Sequence, residues 1–195
     1  VNATKADTRR GLEALWDEKF SVRRSENMPE CLHVLEGQPA RSQAFADGII
    51  TIQDESSMLP AYALDVKPGM RVYDMCAAPG GKTTHIADKM NNEGELIATD
   101  LHKHKIKLIQ ENADRLGLSI IKPQLLDGRK AQQQFEKQSF DRILVDAPCS
   151  GLGVIRRKPD IKYTKSESDI ASSHAKQLDL LDSAYELLKP QGKMV

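Results

Sequence analysis

Apolar and polar positions follow two different rhythms along the chain, and the change falls near residue 54. Over residues 8–19, Leu12, Leu15 and Trp16 recur at helical spacing, which predicts an amphipathic helix with these three on its inner face. Residues 31–35 and 49–53 read as short strands separated by a polar loop rich in Gly, Pro and Ser. Residues 54–64 predict a helix capped by Asp54 or Ser56, where Pro60 fits only in the first turn or at a kink. Beyond this point the pattern is regular. Strands are predicted over 71–74, 95–100, 120–126 (weakened by Pro123) and 140–146, and 192–195 opens a fifth. Helices are predicted over 82–90, 104–116 and 166–188. The second of these presents Ile106, Ile109, Ala113 and Leu116 on one face, and the third Ile170, His174, Leu178, Leu181, Ala184 and Leu188.

Strands alternating with helices imply a parallel sheet with right-handed crossovers and helices on both faces, an α/β architecture of Rossmann-like type. The expected organisation is a small α+β subdomain over residues 1–54 and a main domain over 55–195. Ligands in such sheets sit beyond the carboxyl ends of the strands. Four predicted strands end in, or run straight into, an aspartate: Asp74, Asp100, Asp127 and Asp146. Any one alone reads as a loop-start or capping Asp. The four together are harder to dismiss.

After the first of these strands comes Asp74-Met75-Cys76-Ala77-Ala78-Pro79-Gly80-Gly81-Lys82-Thr83-Thr84. Small residues let backbone approach a ligand closely, and the following helix offers free N–H groups and a positive dipole end, so an anionic group is expected at Gly80 to Lys82. Gly81-Lys82-Thr83 fits the end of a P-loop, but position 76 is Cys where that motif needs Gly. A dinucleotide fingerprint fails too, because only the adjacent pair Gly80-Gly81 is present. S-adenosylmethionine has a carboxylate to place but no phosphate. It needs a close-approach turn after the first strand and an acid after the second for the ribose hydroxyls, a place Asp100 fills. Asp127 is positioned to accept from the adenine amino group. The bland alternative is a structural glycine turn with no ligand.

Composition adds bounds. With 195 residues, 39% hydrophobic and 29% charged, the chain can bury an ordinary core. No apolar run is long enough to span a bilayer, and VNATKADTRR at the N-terminus lacks a secretory apolar segment, so no membrane partner is expected. It also lacks an initiator Met, which suggests that the chain starts inside a longer protein. Cys31, Cys76 and Cys149 are too few and too scattered for a disulfide framework or a zinc cluster, so no metal and a reducing, cytoplasmic compartment are expected. Net charge is zero, which argues mildly against a nucleic-acid substrate. Residues 156–165 run the other way, with Arg156, Arg157, Lys158, Lys162 and Lys165 against Asp160, a local excess of +4. This stretch is either an ordinary solvated loop or, following a candidate active-site motif, a phosphate contact for RNA.

The segments DMCAAPGGKTTHIA (74–87) and DAPCSGLGVIRRKPDIKY (146–163) together resemble the RNA cytosine-5 methyltransferases of the Nol/Nop/Sun family. The second is most similar to the bacterial RsmB (Sun/Fmu) branch, which acts on small-subunit (16S) ribosomal RNA. QDESS (53–57) resembles the entry to the catalytic domain in the same family. The resemblance covers about residues 49–195. It implies a class I methyltransferase sheet, S-adenosyl-L-methionine as cofactor and RNA as partner. It places Cys76, Ala77, Ala78, Pro79, Gly80, Gly81 and Lys82 along the methionine part of the cofactor, Asp100 at the ribose and Asp127 near the adenine. It places Asp146 between cofactor and target base, points Lys82 into the catalytic pocket, and makes Cys149 the first of two active-site cysteines. The second, the family's nucleophile, belongs to a Ser/Thr-Cys pair just after the fifth strand and is expected beyond Val195, so the 195-residue chain alone is expected to be inactive. An N-terminal RNA-binding domain resembling the NusB fold, which similarity to the RsmB branch implies, is expected outside these residues as well.

The chemistry explains these residue types. Carbon 5 of cytosine is a poor nucleophile; a thiolate adding at carbon 6 turns the ring into an enamine that can take a methyl group. Asp146, if it holds a proton, aids addition through N3 of the base. A second group near the base must then help release product, a role Cys149 can fill. The base must be unpaired or extruded to enter such a pocket. Plainer readings stand beside these. Cys76 is more often a small buried residue under the turn. His85, His102 and His104 read as surface residues or local caps, and His174, on the apolar stripe, as a core residue. Two other functions remain open: methylation of DNA or protein, in the first of which the Pro-Cys cysteine is itself the nucleophile, and a non-catalytic cofactor-binding module that docks on ribosomal RNA. The sequence leaves the oligomeric state open.

Overall fold

The computed structural model describes residues 1–156, 158–164 and 166–195; Arg157 and Lys165 lie outside the described residues. The N-terminal part begins with helix α1 (Thr8–Asp17), whose first turn is capped by Asp7 accepting from the Arg10 N–H. Its buried residues are Gly11, Leu12 and Leu15, whereas Trp16 is 54% exposed, so the predicted inner face holds for two of its three members. Strands β1 (Ser21–Arg24) and β2 (Leu32–Glu36) pair antiparallel, and a one-turn helix α2 (Gln43–Ala46) follows. The expected strand over 49–53 is absent. Ile49 and Ile50 both donate their N–H groups to the Ala44 carbonyl, which closes a loop over Leu15 and Ala44 instead of extending a ladder.

The main sheet has five strands in the order β5-β4-β3-β6-β7, all parallel: β3 (Arg71–Asp74), β4 (Glu95–Asp100), β5 (Ile121–Leu125), β6 (Phe140–Leu144) and β7 (Leu188–Met194). Pro123 is tolerated because β5 is an edge strand. Residues alternate between the two faces. Val72, Leu96, Ala98 and Leu144 pack under helices α3 (Leu59–Leu64), α4 (Gly81–Lys89) and α5 (Lys103–Leu116). Tyr73, Ile97 and Ile143 pack under α7 (Glu167–Leu187), with Phe140 stacked on Tyr73. A short helix α6 (Ile161–Thr164) precedes α7. Helices on both faces, as expected, make the sheet a doubly wound one.

Three expectations need correction. Residues 54–64 are split: Glu55–Met58 forms a 3₁₀ turn and α3 starts at Leu59, so Pro60 falls in the first turn where its missing N–H costs nothing. The long helix buries Leu180, Ser183, Ala184 and Leu187; Ile170, Leu178 and Leu181 are exposed, and so is His174, which is not a core residue. His85 is not a surface residue. It is buried on α4, with Nε2 3.0 Å from Glu30 Oε1 and Tyr62 edge-on to its ring. Glu30 also binds Lys89 and accepts from the Tyr62 hydroxyl. Against the cost of burial, these partners hold its carboxyl well below the usual carboxylate range. No helix among the described residues is long and apolar enough to cross a membrane.

Candidate active site

The β3–α4 turn is built by sterics. Gly80 caps α4 at φ 107°, in the left-handed region that favours glycine, and a Cβ there would lie 3.4 Å from the Ile109 Cα of α5. The turn therefore sits tightly against α5, with the first N–H groups of α4 facing outward from the strand ends. A cavity of about 230 Å³ opens here, walled on one side by Cys76, Ala77, Ala78, Pro79, Gly81 and Lys82. Asp74 and Asp146 add two carboxyl groups from neighbouring strand ends.

The Lys82 ammonium donates to Asp146 Oδ2 at 2.7 Å, joining the turn to the loop after β6. Asp74 is fully buried. Thr83 Oγ1 donates to its Oδ2 at 2.7 Å, while its Oδ1 has no hydrogen-bond partner among the described residues. Burial, reinforced by the charge of Asp146 and opposed by the Thr83 bond, pushes the Asp74 carboxyl up to about 7. The Cys76 thiol is pushed up to about 12 by burial and by the carboxylates of Asp74, Asp100 and Asp146, which keeps it protonated and unreactive.

Asp100 is buried at the end of β4. Its Oδ1 accepts the His102 N–H at 3.1 Å and lies 3.6 Å from the Lys105 ammonium. Asp127 faces a second cavity, walled by Leu101, Leu125, Leu126 and Lys130. Hydrogen bonds from the Arg129 guanidinium hold its carboxyl below the usual range. The strand ends thus present the carboxylates in a row, but Asp100 and Asp127 do not line the Asp74–Asp146 cavity. Cys149 is exposed, and its Sγ accepts the Gly151 N–H at 3.4 Å. Gln177 of α7 donates to the Pro148 carbonyl and tethers this loop to the helix. Arg156 and Lys158 are exposed beyond it; Arg157, named with them, lies outside the described residues.

Sequence reasoning missed part of the wall. Ile52, Gln53, Asp54 and Ser57 close the cavity opposite the turn, with Gln53 held by its side-chain bond to the Ser57 carbonyl. Asp74 was legible only as a strand-end acid; its burial and its bond from Thr83, nine residues on, come from the fold.

A doubly wound parallel sheet with a close-approach glycine turn and acids at successive strand ends defines a Rossmann-like methyltransferase domain. Solved structures agree: the chain superposes on a methyltransferase homologue protein from Pyrococcus horikoshii with TM-score 0.84 and 34% identity, over 98% of this chain and 60% of that one. A structure of NSun6 from P. horikoshii with SFG shares the fold at TM-score 0.89 and 24% identity, over 98% of this chain and 72% of that one. The family described as 16S rRNA methyltransferase RsmB/F matches residues 61–195, and the chain belongs to it. A Bacillus subtilis protein named "Probable ribosomal RNA small subunit methyltransferase B" is 50% identical over the whole chain. One from Salmonella paratyphi B, named ribosomal RNA small subunit methyltransferase B, is 41% identical over 86% of it. The chain spans 44% and 37% of these two relatives' lengths.

Proposed function

We propose that this chain is the cofactor-binding and base-facing part of an S-adenosyl-L-methionine-dependent methyltransferase that modifies carbon 5 of cytosine in small-subunit ribosomal RNA. The observation that carries the reading is the Lys82–Asp146 pair beside the orphaned Asp74 oxygen, in a cavity bounded by the glycine turn. The residues fit the cofactor: a buried, unpartnered carboxyl oxygen suits an ammonium group, and free N–H groups at the start of α4 suit a carboxylate. When bound, the cofactor supplies an electrophilic methyl group.

The chain's own residues orient and exclude. Gly80 lets the backbone approach closely. Asp100 receives the ribose hydroxyls, and Asp127 lies toward the adenine. Lys82 positions the Asp146 carboxyl group, which donates to N3 of an extruded cytosine when it carries a proton. Cys149, on the loop that follows, faces the same base and aids release of the methylated product. Arg156, Arg157 and Lys158 hold the RNA backbone. The chemistry runs through a cysteine–cytosine adduct, by resemblance to the Nol/Nop/Sun enzymes.

The test is methyl transfer from labelled cofactor to a 16S ribosomal RNA transcript by the full-length protein, with the product nucleoside identified by mass spectrometry. Recovery of 5-methylcytidine supports the reading. Label in DNA or protein but not in RNA sinks it.

A further inference from the structure

A third cavity, of about 420 Å³, lies between the β1–β2 hairpin and helices α4 and α5, on the far side of the Ile52–Asp54 wall from the β3–α4 turn. Cys31, His33 and Glu55 stand together in its wall. Their ligand-type atoms, one sulfur, one ring nitrogen and one carboxylate oxygen, all lie within 4.8 Å of one another. We propose that these three residues bind a zinc-class divalent cation, with a fourth coordination position left open to the cavity.

The geometry comes from two separate stretches. Cys31 ends the turn just before β2 and His33 is the second residue of that strand, which brings the thiol and the imidazole to the same place. Glu55 is the first residue of the 3₁₀ turn that follows the N-terminal subdomain. His33 Nε2 is already 3.1 Å from Glu55 Oε2. Tetrahedral zinc, with bonds of about 2.0–2.3 Å, holds neighbouring ligand atoms about 3.2–3.7 Å apart. Closure therefore asks the sulfur to draw in by on the order of 1 Å, which rotation of one thiol side chain supplies.

The surroundings hold the ligands in place. The Ser25 N–H donates to the Cys31 carbonyl at 3.0 Å and the Cys31 N–H to the Met28 carbonyl at 3.1 Å, fixing the cysteine backbone. The Ser25 hydroxyl donates to Glu55 Oε1, so the other carboxylate oxygen is the one turned to His33. Outer hydrogen bonds of this kind set the orientation of ligating carboxylates. Met28 and Met58 pack against Cys31 and shield the thiol from water. Glu30, next in sequence, is committed to His85, Lys89 and Tyr62 and is not a ligand. Thiol, imidazole and carboxylate together form the donor set of a borderline-soft ion, not of Mg²⁺ or Ca²⁺. Ile52, Gln53 and Asp54 line this cavity and the candidate active site alike, so an ion on Glu55 steadies the wall they share.

The test uses cobalt as a coloured stand-in for zinc. Protein stripped with chelator is titrated with Co²⁺ and followed by absorption. The expected result is one equivalent bound, a near-ultraviolet thiolate-to-cobalt band, the intense visible bands of a four-coordinate ion, and bleaching by Zn²⁺. Cys31→Ser abolishes the thiolate band, and Cys149→Ser leaves it unchanged. His33→Ala and Glu55→Gln each weaken affinity at least tenfold, with folding checked by circular dichroism. Glu55→Gln is the variant that keeps both size and the Ser25 bond. A folded protein with no thiolate band, or a band indifferent to Cys31→Ser or Glu55→Gln, overturns the proposal and leaves an ordinary His33–Glu55 ion pair beside a buried thiol.

Discussion

Lys82 and Asp146 meet at 2.7 Å across the mouths of β3 and β6, one at the first turn of α4 and the other opening the Asp-Ala-Pro-Cys loop. The side chains are 26% and 51% exposed, so the pair adds little to folding, about 1 kcal/mol at most. Its value is orientation. Lys82→Ala in the full-length protein is expected to leave the thermal midpoint within about 2 °C of wild type. It is expected to cut methyl transfer about ten- to a hundredfold, the range for losing a hydrogen bond to a charged group. A Tm loss that tracks the activity loss would make the pair structural.

Asp74 couples the site to stability through pH. Its folded carboxyl sits at about 7 because of burial, far above the ordinary 3.8, so between these values the folded chain keeps a proton that the unfolded chain has lost. The contribution of this group to stability is full below about pH 4, falls as pH rises, and is lost by a few kcal/mol above about pH 7. Asp74→Asn still accepts from Thr83 and carries no charge. Relative to wild type it is expected to gain stability as pH rises from about 4 to about 7, and to hold that gain above it, in denaturant melts. A constant difference across that range would place the titration elsewhere.

Asp100 is a buried acceptor with one oxygen already serving the His102 N–H. Asp100→Ala is expected to weaken S-adenosylhomocysteine binding by about 1.5–3 kcal/mol in calorimetry, as two ribose hydroxyls lose a charged acceptor. Equal affinities would remove Asp100 from the cofactor site.

The sheet was legible because short apolar strand runs alternate with helical ones, and because Gly80 and the strand-end acids mark where backbone must approach a ligand. What escaped reading was fixed by contacts distant in sequence. His85 looks like a surface residue or local cap until Glu30, 55 positions away, is folded over it. Ile49–Ile50 has strand composition, yet its backbone N–H groups close onto Ala44 and Arg115 takes the Ile50 carbonyl, so no ladder partner is left. β1 carries one apolar residue, Val22, and is a strand only because β2 pairs with it. The long helix offers two overlapping apolar registers. The one through Leu180, Ala184 and Leu187 wins because it alone faces Phe140 and Ile143.

Arg156 and Lys158 project from the loop after Cys149, with Arg157 between them in sequence. Replacing all three with Ala is expected to weaken RNA binding and flatten its salt dependence. The log–log slope should drop by about 0.7–0.9 for each phosphate that the variant no longer neutralises. An unchanged slope would make the loop a bystander.

Cys149 is where two mechanisms give opposite results. It is the exposed cysteine of the three; Cys31 is buried in the N-terminal part, and Cys76 is held protonated by its surroundings. If Cys149 is the nucleophile, Cys149→Ala in the full-length protein forms no thioether with RNA. If another thiol attacks and Cys149 assists release, addition and methyl transfer proceed in the variant and elimination stalls. A covalent protein–RNA species then builds up and survives a denaturing gel. The second outcome is expected. On the same logic, the 195-residue chain alone is expected to form no adduct with 5-fluorocytosine RNA and S-adenosylmethionine, since neither remaining thiol is placed to attack. A cofactor-dependent adduct on this chain that disappears in Cys149→Ala would reverse the assignment, making Cys149 the attacking thiol and bringing the site close to the DNA cytosine enzymes.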